Sequence, residues 1–179
     1  TITEGKPSVQ TIKVLDKNMS EDEMLTLAAA AEETSSHPLA IAILNEMKER
    51  GLEIPEHEEN KIIVARGIET KVGDSTIRVG SKKYMEENNI STDICYDEIK
   101  VILGRGEILI YVAKDNNLIG LVGVTDPPRE NIKKAINRLR NQGIDEVVLL
   151  TGDLEQQAYT IASRMSIDTY ESELLPEDK

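Results

Sequence analysis

The sequence has no tryptophan and no phenylalanine among its 179 residues, and five tyrosines are its only aromatic side chains. An aliphatic core is therefore expected, and few side chains remain that could stack on a planar ligand. The single cysteine, Cys95, excludes an internal disulfide, and no cysteine–histidine cluster suggests a zinc site. No apolar run reaches the length of about 18 residues that a transmembrane helix needs.

Positive charge is also scarce, because 21 basic residues face 33 acidic ones and leave a net charge of −12. This balance argues against a nucleic acid or an anionic membrane as partner. The charge is unevenly spread: residues 20–60 hold eleven acidic and two basic residues, whereas residues 61–83 hold six basic and two acidic. An anionic ligand would prefer the second stretch. The alternative is an acidic helix face beside an ordinary basic strand.

The first two thirds of the sequence predict helices followed by antiparallel strands. After a strand over Gln10–Asp16, Ser20 with Glu23 forms a capping box that opens a helix. Pro38 opens a second helix, which stops at Gly51. Strands over 61–79 and 107–126 turn at Gly73-Asp74 and Asp115-Asn116-Asn117, and residues 81–89 form a short helix. Residues 90–105 give no clear pattern.

After about Leu118 the sequence pattern changes to predicted strands that alternate with predicted helices, which indicates parallel βαβ units. The predicted fold is an α+β domain with an antiparallel sheet over residues 9–117, joined to part of an α/β domain formed by 1–8 and 118–179.

The strand VVLLTGD ends in Thr151, Gly152 and Asp153, directly before a helix. Ligands gather at the carboxyl ends of parallel strands, and helix N-termini favour phosphate. The pattern equally suits a plain helix cap at Asp153. Asp126 ends another strand in VGVTDPPR, where the alternative is a proline-bounded turn.

Several segments together resemble the P-type ATPases. TITEGKP resembles the residues that follow the phosphorylated aspartate in the motif D-K-T-G-T-[LI]-T. VTDPPR resembles the D-P-x-R segment of the family, and LLTGD resembles its T-G-D motif. LLPEDK resembles the P-x-x-K segment of haloacid-dehalogenase-like phosphotransferases. SSHPLA resembles the Ser-x-His-Pro motif of the heavy-metal class, type IB, and Glu32 stands five residues before His37 as in that class. The resemblance covers essentially the whole chain.

The resemblance implies an α+β nucleotide-binding domain inserted in a partial haloacid-dehalogenase-like phosphorylation domain. ATP would bind the first domain and, with Mg²⁺, pass its γ-phosphate to an aspartate of the second. Hydrolysis of the aspartyl-phosphate would drive metal export through a membrane domain. The chain would then be a cytoplasmic domain of an integral membrane protein, with the membrane and actuator domains of its own pump as partners and the transported cation bound elsewhere.

The resemblance also implies roles for residues near the base. Glu32 would accept from the exocyclic amine of adenine and His37 would orient the ring, although a lone histidine before Pro38 could simply cap the helix. Gly67 and Ile68 match a G-x-G-[VI] loop in which glycine allows close backbone approach.

Two positions of these motifs depart from the family pattern. Ala65 replaces the first glycine of the G-x-G-[VI] loop, which suits close approach only at negative φ. Gly80 and Ser81 match a V-G-N motif with serine for asparagine, whose hydroxyl could still bond a ribose or a phosphate.

At the phosphate end, Thr151, Gly152 and Asp153 would surround the transferred phosphoryl group. Asp126 and Arg129 would line the same cleft, with Arg129 meeting the nucleotide phosphates. Lys179 would neutralise the aspartyl-phosphate. His57 matches no motif and is interpreted as a surface residue.

The phosphorylated aspartate would precede Thr1, and the G-D-G-x-N-D motif that helps to hold Mg²⁺ would follow Lys179. The chain is therefore expected to bind nucleotide without forming the phosphoenzyme. Alternatives are a pump of another cation class, a haloacid-dehalogenase-like phosphatase and a regulatory module. Pumps of other classes usually place an aromatic ring and a Lys-Gly-Ala-type motif against adenine, and the absence of phenylalanine and of that motif here favours the heavy-metal class. The transported metal is not readable here.

Overall fold

Strands from both ends of the first 125 residues form a single antiparallel sheet. A computed structural model describes residues 2–152, 155–175 and 177–178. Six strands lie in the order β1-β6-β5-β4-β3-β2, and every neighbouring pair is antiparallel. They are β1 (Ser8–Val14), β2 (Lys61–Ile63), β3 (Gly67–Val72), β4 (Ser75–Gly80), β5 (Ile108–Lys114) and β6 (Asn117–Thr125).

Helices α1 (Glu21–Glu32) and α2 (Pro38–Glu49) cover one face of this sheet. Ser20 Oγ accepts from the Glu23 backbone N–H at 3.2 Å, and the Glu23 carboxylate accepts from the Ser20 N–H at 2.7 Å, which confirms the predicted capping box. Small residues let α1 approach closely, since a Cβ on Gly120 would lie 1.8 Å from the Met24 sulfur. The core on this face includes Met24, Leu25, Ile43, Val79, Val112 and Val122.

The opposite face is covered by α3 (Lys82–Glu87), a 3₁₀ turn (Asp93–Cys95) and α4 (Tyr96–Gly104). Strand β5 serves both cores, because Val112 points to the first and Tyr111 to the second. Burial on both faces explains its continuous apolar run. The second core includes Tyr84, Met85, Ile90, Cys95, Ile102 and Leu121.

A small α/β segment follows the sheet. It contains α5 (Ile132–Asn141), β7 (Val148–Leu150), α6 (Glu155–Met165) and β8 (Thr169–Glu171). Strands β7 and β8 are parallel with α6 between them and form one βαβ unit, in which β8 is a strand that the sequence did not predict. None of the helices described, of which α1 and α2 are 12 residues long, combines the length and apolarity needed to cross a membrane.

Strand β6 differs from the predicted organisation. The change of texture after Leu118 predicts an α/β segment from that point, but β6 pairs antiparallel with β1 and β5 inside the first sheet. A tight turn at Asp115-Asn116 joins β5 to β6 and fixes this pairing. Both faces of β6 are buried, so its sequence reads like a strand of a parallel sheet. The sheet therefore continues eight residues beyond the predicted boundary at 117, to Thr125.

Two segments that run side by side connect the sheet to the α/β part. The Glu4 N–H donates to the Pro127 carbonyl at 2.9 Å, and the Arg129 N–H donates to the Ile2 carbonyl at 2.9 Å. The Lys6 N–H donates to Asp126 Oδ1 at 3.1 Å. The connection is thus a hydrogen-bonded ribbon rather than two independent linkers.

Candidate functional site

A cavity of about 390 Å³ lies between the end of α1, the start of α2 and strands β2 to β5. Ile62 and Val64 stand at its edge with 63% and 86% of their surface exposed. A planar, largely apolar ligand would cover both side chains, which makes binding favourable through loss of exposed apolar surface. The aliphatic lining residues are Leu39, Ile62, Ile63, Val64, Ile68, Ile108, Leu109 and Ile110.

Glu32, the last residue of α1, brings a buried carboxyl group to this cavity. It is only 8% exposed, and Ser35 donates a hydrogen bond to it. Desolvation raises the pKa of Glu32 from 4.5 to about 7, against the opposing effect of the Ser35 hydrogen bond. A carboxylate that is largely excluded from solvent is a strong acceptor for an N–H group of a ligand.

His37 has two roles in the structure. Its Nδ1 accepts from the Leu39 N–H at 3.2 Å, so it caps α2 as one of the sequence interpretations held. Its ring also lines the cavity. Because Nδ1 acts as acceptor, the neutral ring carries its proton on Nε2, which is then an N–H donor on a residue that lines the cavity.

Gly67 and Gly80 face each other in the β3–β4 register. A Cβ on Gly67 would lie 2.1 Å from the Val79 carbonyl oxygen and 2.7 Å from the Gly80 Cα, and one on Gly80 would lie 2.4 Å from the Arg66 carbonyl oxygen. Glycine is therefore required here by the neighbouring backbone. This differs from the expectation that Gly67 makes room for a ligand, although both glycines line the cavity.

Ala65, at the first glycine position of the loop motif, adopts a left-handed conformation with φ of 57°. It lies in the turn that the Arg66 N–H closes on the Ile63 carbonyl at 3.0 Å. Alanine would suit this position only at negative φ, but the observed φ is positive. The Ala65 side chain therefore strains the turn.

We expect Ala65→Gly to raise the free energy of unfolding by about 0.5–1 kcal/mol, because relief of the left-handed strain exceeds the entropy that glycine adds to the unfolded chain. Ala65→Val is the matched opposite and should destabilise, since a β-branched residue tolerates positive φ least. Urea unfolding followed by circular dichroism measures both. Equal stability of the glycine and valine variants would contradict a strained turn.

Ile68 and Ser81 complete the predicted residues of this cavity. Ile68 is 5% exposed and forms part of its wall. Ser81 Oγ accepts from the Tyr84 N–H at 3.3 Å and caps α3, so its hydroxyl proton remains for a ligand.

A second cleft, of about 670 Å³, adjoins the first cavity and shares His37, Leu39 and Ser81 with it. Asp126 and Gly152 line the same cleft. The fold therefore brings residues of the sheet unit and of the α/β segment around one cleft next to the first cavity.

Two of the other residues predicted for the phosphate end take part in backbone contacts. Arg129 Nε donates to the Thr3 carbonyl at 2.9 Å and so supports the connecting ribbon. The Thr151 N–H donates to the Glu171 carbonyl at 2.9 Å, and its carbonyl accepts from the Leu174 N–H at 3.0 Å. Asp153 and Lys179 lie outside the described residues.

The interpretation of His57 as a surface residue is wrong. Its side chain is only 10% exposed, and its Nε2 lies 2.8 Å from the Glu33 carboxylate. Nδ1 lies 2.7 Å from the Glu58 carbonyl oxygen. The ring joins the segment before β2 to the end of α1, a long-range contact that no local pattern signals.

Several lining residues were not singled out in the sequence. The apolar residues of β2 and β5 carry only a strand signal, which does not distinguish a cavity wall from a core. Lys82 and Lys83, which line the second cleft, belong to the basic stretch noted above. In residues 2–152, 155–175 and 177–178, no group of three or more histidine, cysteine, aspartate or glutamate side chains is arranged to hold a metal ion.

Comparison with known proteins places the whole chain, residues 1–179, in one family, described as haloacid dehalogenase-like hydrolases. The chain is 32% identical to a zinc-exporting P-type ATPase of Mycobacterium marinum and 36% identical to a copper-exporting P-type ATPase of Staphylococcus epidermidis. Both alignments cover all of this chain but only 25% and 22% of those proteins. The chain thus spans about a quarter of the length of these relatives.

The fold of the chain also matches solved structures of ATPases of this kind. A zinc-transporting PIB-type ATPase in an E2.Pi state superposes with a TM-score of 0.77 at 32% identity, over 99% of this chain and 28% of that one. The catalytic domain of the CPx-ATPase CopB-B, studied for conformational changes upon nucleotide binding, superposes with a TM-score of 0.71 at 28% identity, over 99% and 61% of the two chains. The predicted fold class is confirmed.

Proposed function

Since the chain belongs to the haloacid dehalogenase-like hydrolase family, we propose that it binds ATP as the catalytic part of a metal-exporting P-type ATPase. The sheet with α1 to α4 is the nucleotide-binding unit, and residues 2–7 with 126–178 belong to the phosphorylation domain. The observation that carries the proposal is the 390 Å³ cavity, in which a buried carboxyl group and an oriented imidazole meet aliphatic walls.

These groups match the edge of adenine. The Glu32 carboxylate accepts from the exocyclic amine, and His37 donates from Nε2 to a ring nitrogen. Aliphatic side chains such as Ile62, Val64 and Ile68 sandwich the base, which suits a chain that has no phenylalanine or tryptophan. Guanine presents an oxygen where adenine presents the amine, so a carboxylate would repel it and ATP is preferred over GTP.

The cleft beside the cavity carries the phosphates towards Asp126 and Gly152. Asp126 already accepts from the Lys6 N–H through Oδ1, which leaves Oδ2 for a further partner. A lone carboxylate fits Mg²⁺ only in part, so a magnesium ion would be held jointly by Asp126 and nucleotide phosphates, whose charge it would neutralise. Export of a metal by the whole protein belongs to this proposal, and zinc and copper are the metals of the relatives named above.

The test is a titration of ATP into wild type and His37→Asn, followed by amide shifts in NMR spectra. Asparagine keeps the cap on α2 but removes the Nε2 donor, so the fold should remain and the ATP affinity should fall about tenfold, the effect of one buried hydrogen bond. Ser20→Ala, which loses a helix cap away from the cavity, is the control that shows how much a weakened cap alone changes ATP affinity. Unchanged ATP affinity in His37→Asn, or no binding of ATP by folded wild type, would contradict the proposal.

A further inference from the structure

We propose that Lys83, with a smaller contribution from Lys82, binds the phosphate chain of the nucleotide between its base and its reacting end. The inference rests on the proposed function and adds two residues that none of the sequence motifs includes. The two lysines follow Ser81 directly and line the 670 Å³ cleft together with His37, Asp126 and Gly152.

The arrangement of the two cavities gives the direction of the ligand. They share the wall formed by His37, Leu39, Ser81, Ile108 and Leu109. A base held beside Glu32 in the first cavity therefore has its sugar and phosphates in the second. Asp126 and Gly152, beside which the phosphoryl group would react, line that second space together with both lysines, so the phosphates lie in the cleft that the lysines line.

Charge makes this lysine-lined cleft unusual for the molecule. The chain carries a net charge of −12, yet residues 61–83 hold six basic and two acidic residues. An anion is repelled by most of the surface and attracted at this stretch, and two ammonium groups lining a cleft provide a local site for phosphate oxygens.

The two lysines differ in their existing partners. Lys82 makes an ion pair with Glu86 at 3.6 Å, in which both side chains are 57% exposed. Among the described residues, no ion pair shorter than 4.0 Å involves Lys83; its charge acts on Glu87 only as a minor contribution, because that carboxylate is bonded by Arg66 at 2.8 Å. Lys83 therefore gives up less existing electrostatic interaction than Lys82 when its ammonium group binds a phosphate.

The experiment measures affinities of the purified chain for adenosine, ADP and ATP by calorimetry at low salt. Lys83→Ala should bind ATP and ADP about three- to five-fold more weakly, the range of a partly solvated ion pair, and should bind adenosine like wild type. Lys83→Arg should retain most of the affinity because it keeps the charge. Lys82→Ala should have a smaller effect, and added salt should shrink all these differences.

Lys71→Ala is the matched control, because Lys71 is an exposed lysine of β3 paired with Glu58 at 3.9 Å. Wild-type affinity for ATP in Lys83→Ala would overturn the inference, and so would an equal loss of adenosine and ATP. Failure of wild type to bind adenosine or ATP would overturn the proposed function as well, whereas adenosine binding with no gain from added phosphates would overturn the lysine role alone.

Discussion

Replacing Gly67 by alanine is expected to lower the free energy of unfolding by about 3 kcal/mol, at the upper end of the range for overpacked sites. The added Cβ would lie 2.1 Å from the Val79 carbonyl oxygen, 2.7 Å from the Gly80 Cα and 2.9 Å from the Tyr84 ring. Two of these three atoms belong to the backbone, so no side-chain rotation relieves the contact, and β3 must move away from β4. Thermal unfolding and urea titration, both followed by circular dichroism, measure the loss.

Gly104→Ala is the control for this experiment. Gly104 ends α4, has no atom within 4 Å of the site of a Cβ and has an ordinary φ. Alanine should leave its stability unchanged or raise it by up to about 1 kcal/mol, as helix propensity predicts. If glycine served only the nucleotide, Gly67→Ala would lose ATP binding at unchanged stability, and that result would contradict the interstrand explanation.

Glu32→Gln is expected to stabilise the protein at pH 8 while it weakens ATP binding. Burial raises the pKa of Glu32 from 4.5 to about 7, so the folded protein holds this proton more tightly than the unfolded chain does. The free energy of unfolding of wild type therefore falls as the pH rises from about 4.5 to about 7, and this group causes no further change above that range. Glutamine carries no charge to desolvate and should remove that fall.

The expected gain at pH 8 is on the order of 2 kcal/mol, a discounted conversion of the pKa shift, and it should vanish near pH 4. Urea unfolding at pH 4, 6 and 8 measures it, with Glu49→Gln as the control because Glu49 is exposed near the end of α2. A pH dependence in Glu32→Gln equal to that of wild type would contradict the assignment of this titration to Glu32.

The same substitution should change nucleotide selectivity. Loss of a charged acceptor costs about 1.5–3 kcal/mol of binding, which is about tenfold or more in ATP affinity at pH 8. A glutamine amide can also donate to the guanine oxygen, so the preference for ATP over GTP should shrink. For wild type, ATP affinity should rise between pH 6 and 8 as Glu32 loses its proton. Unchanged ATP-to-GTP preference in Glu32→Gln would exclude contact with the exocyclic amine.

Local sequence signals predicted the elements of the fold well. The capping box at Ser20, the proline that opens α2 and the turns at Gly73 and Asp115 act within a few residues, and each is found where expected. The pairing of β6 with β1 was not predicted. It depends on strands far apart in sequence, and a strand buried on both faces has no alternation that would reveal its neighbours.

The sequence predicted only those residues of the candidate site that belong to recognisable motifs. Glu32 and His37 do meet in one cavity, and the proposed roles of the site residues stay predictions. The sequence does not show why residue 67 must be glycine, because that requirement depends on which residue pairs with it on β4. The buried contacts of His57 also depend on the tertiary fold, since Glu33 lies on a different element.

The pairing of β1 with β6 also affects the order in which the protein can form during translation. Strand β1 emerges from the ribosome early, but its partner β6 is synthesised only after all the other strands and helices of the sheet. The nascent chain must therefore carry β1 as an unpaired strand for most of that time, which exposes it to wrong partners. Exposed polar residues along β1, including Gln10 and Lys13, reduce this risk, and the strand of this sheet that is made earliest can pair only after β6 has been made.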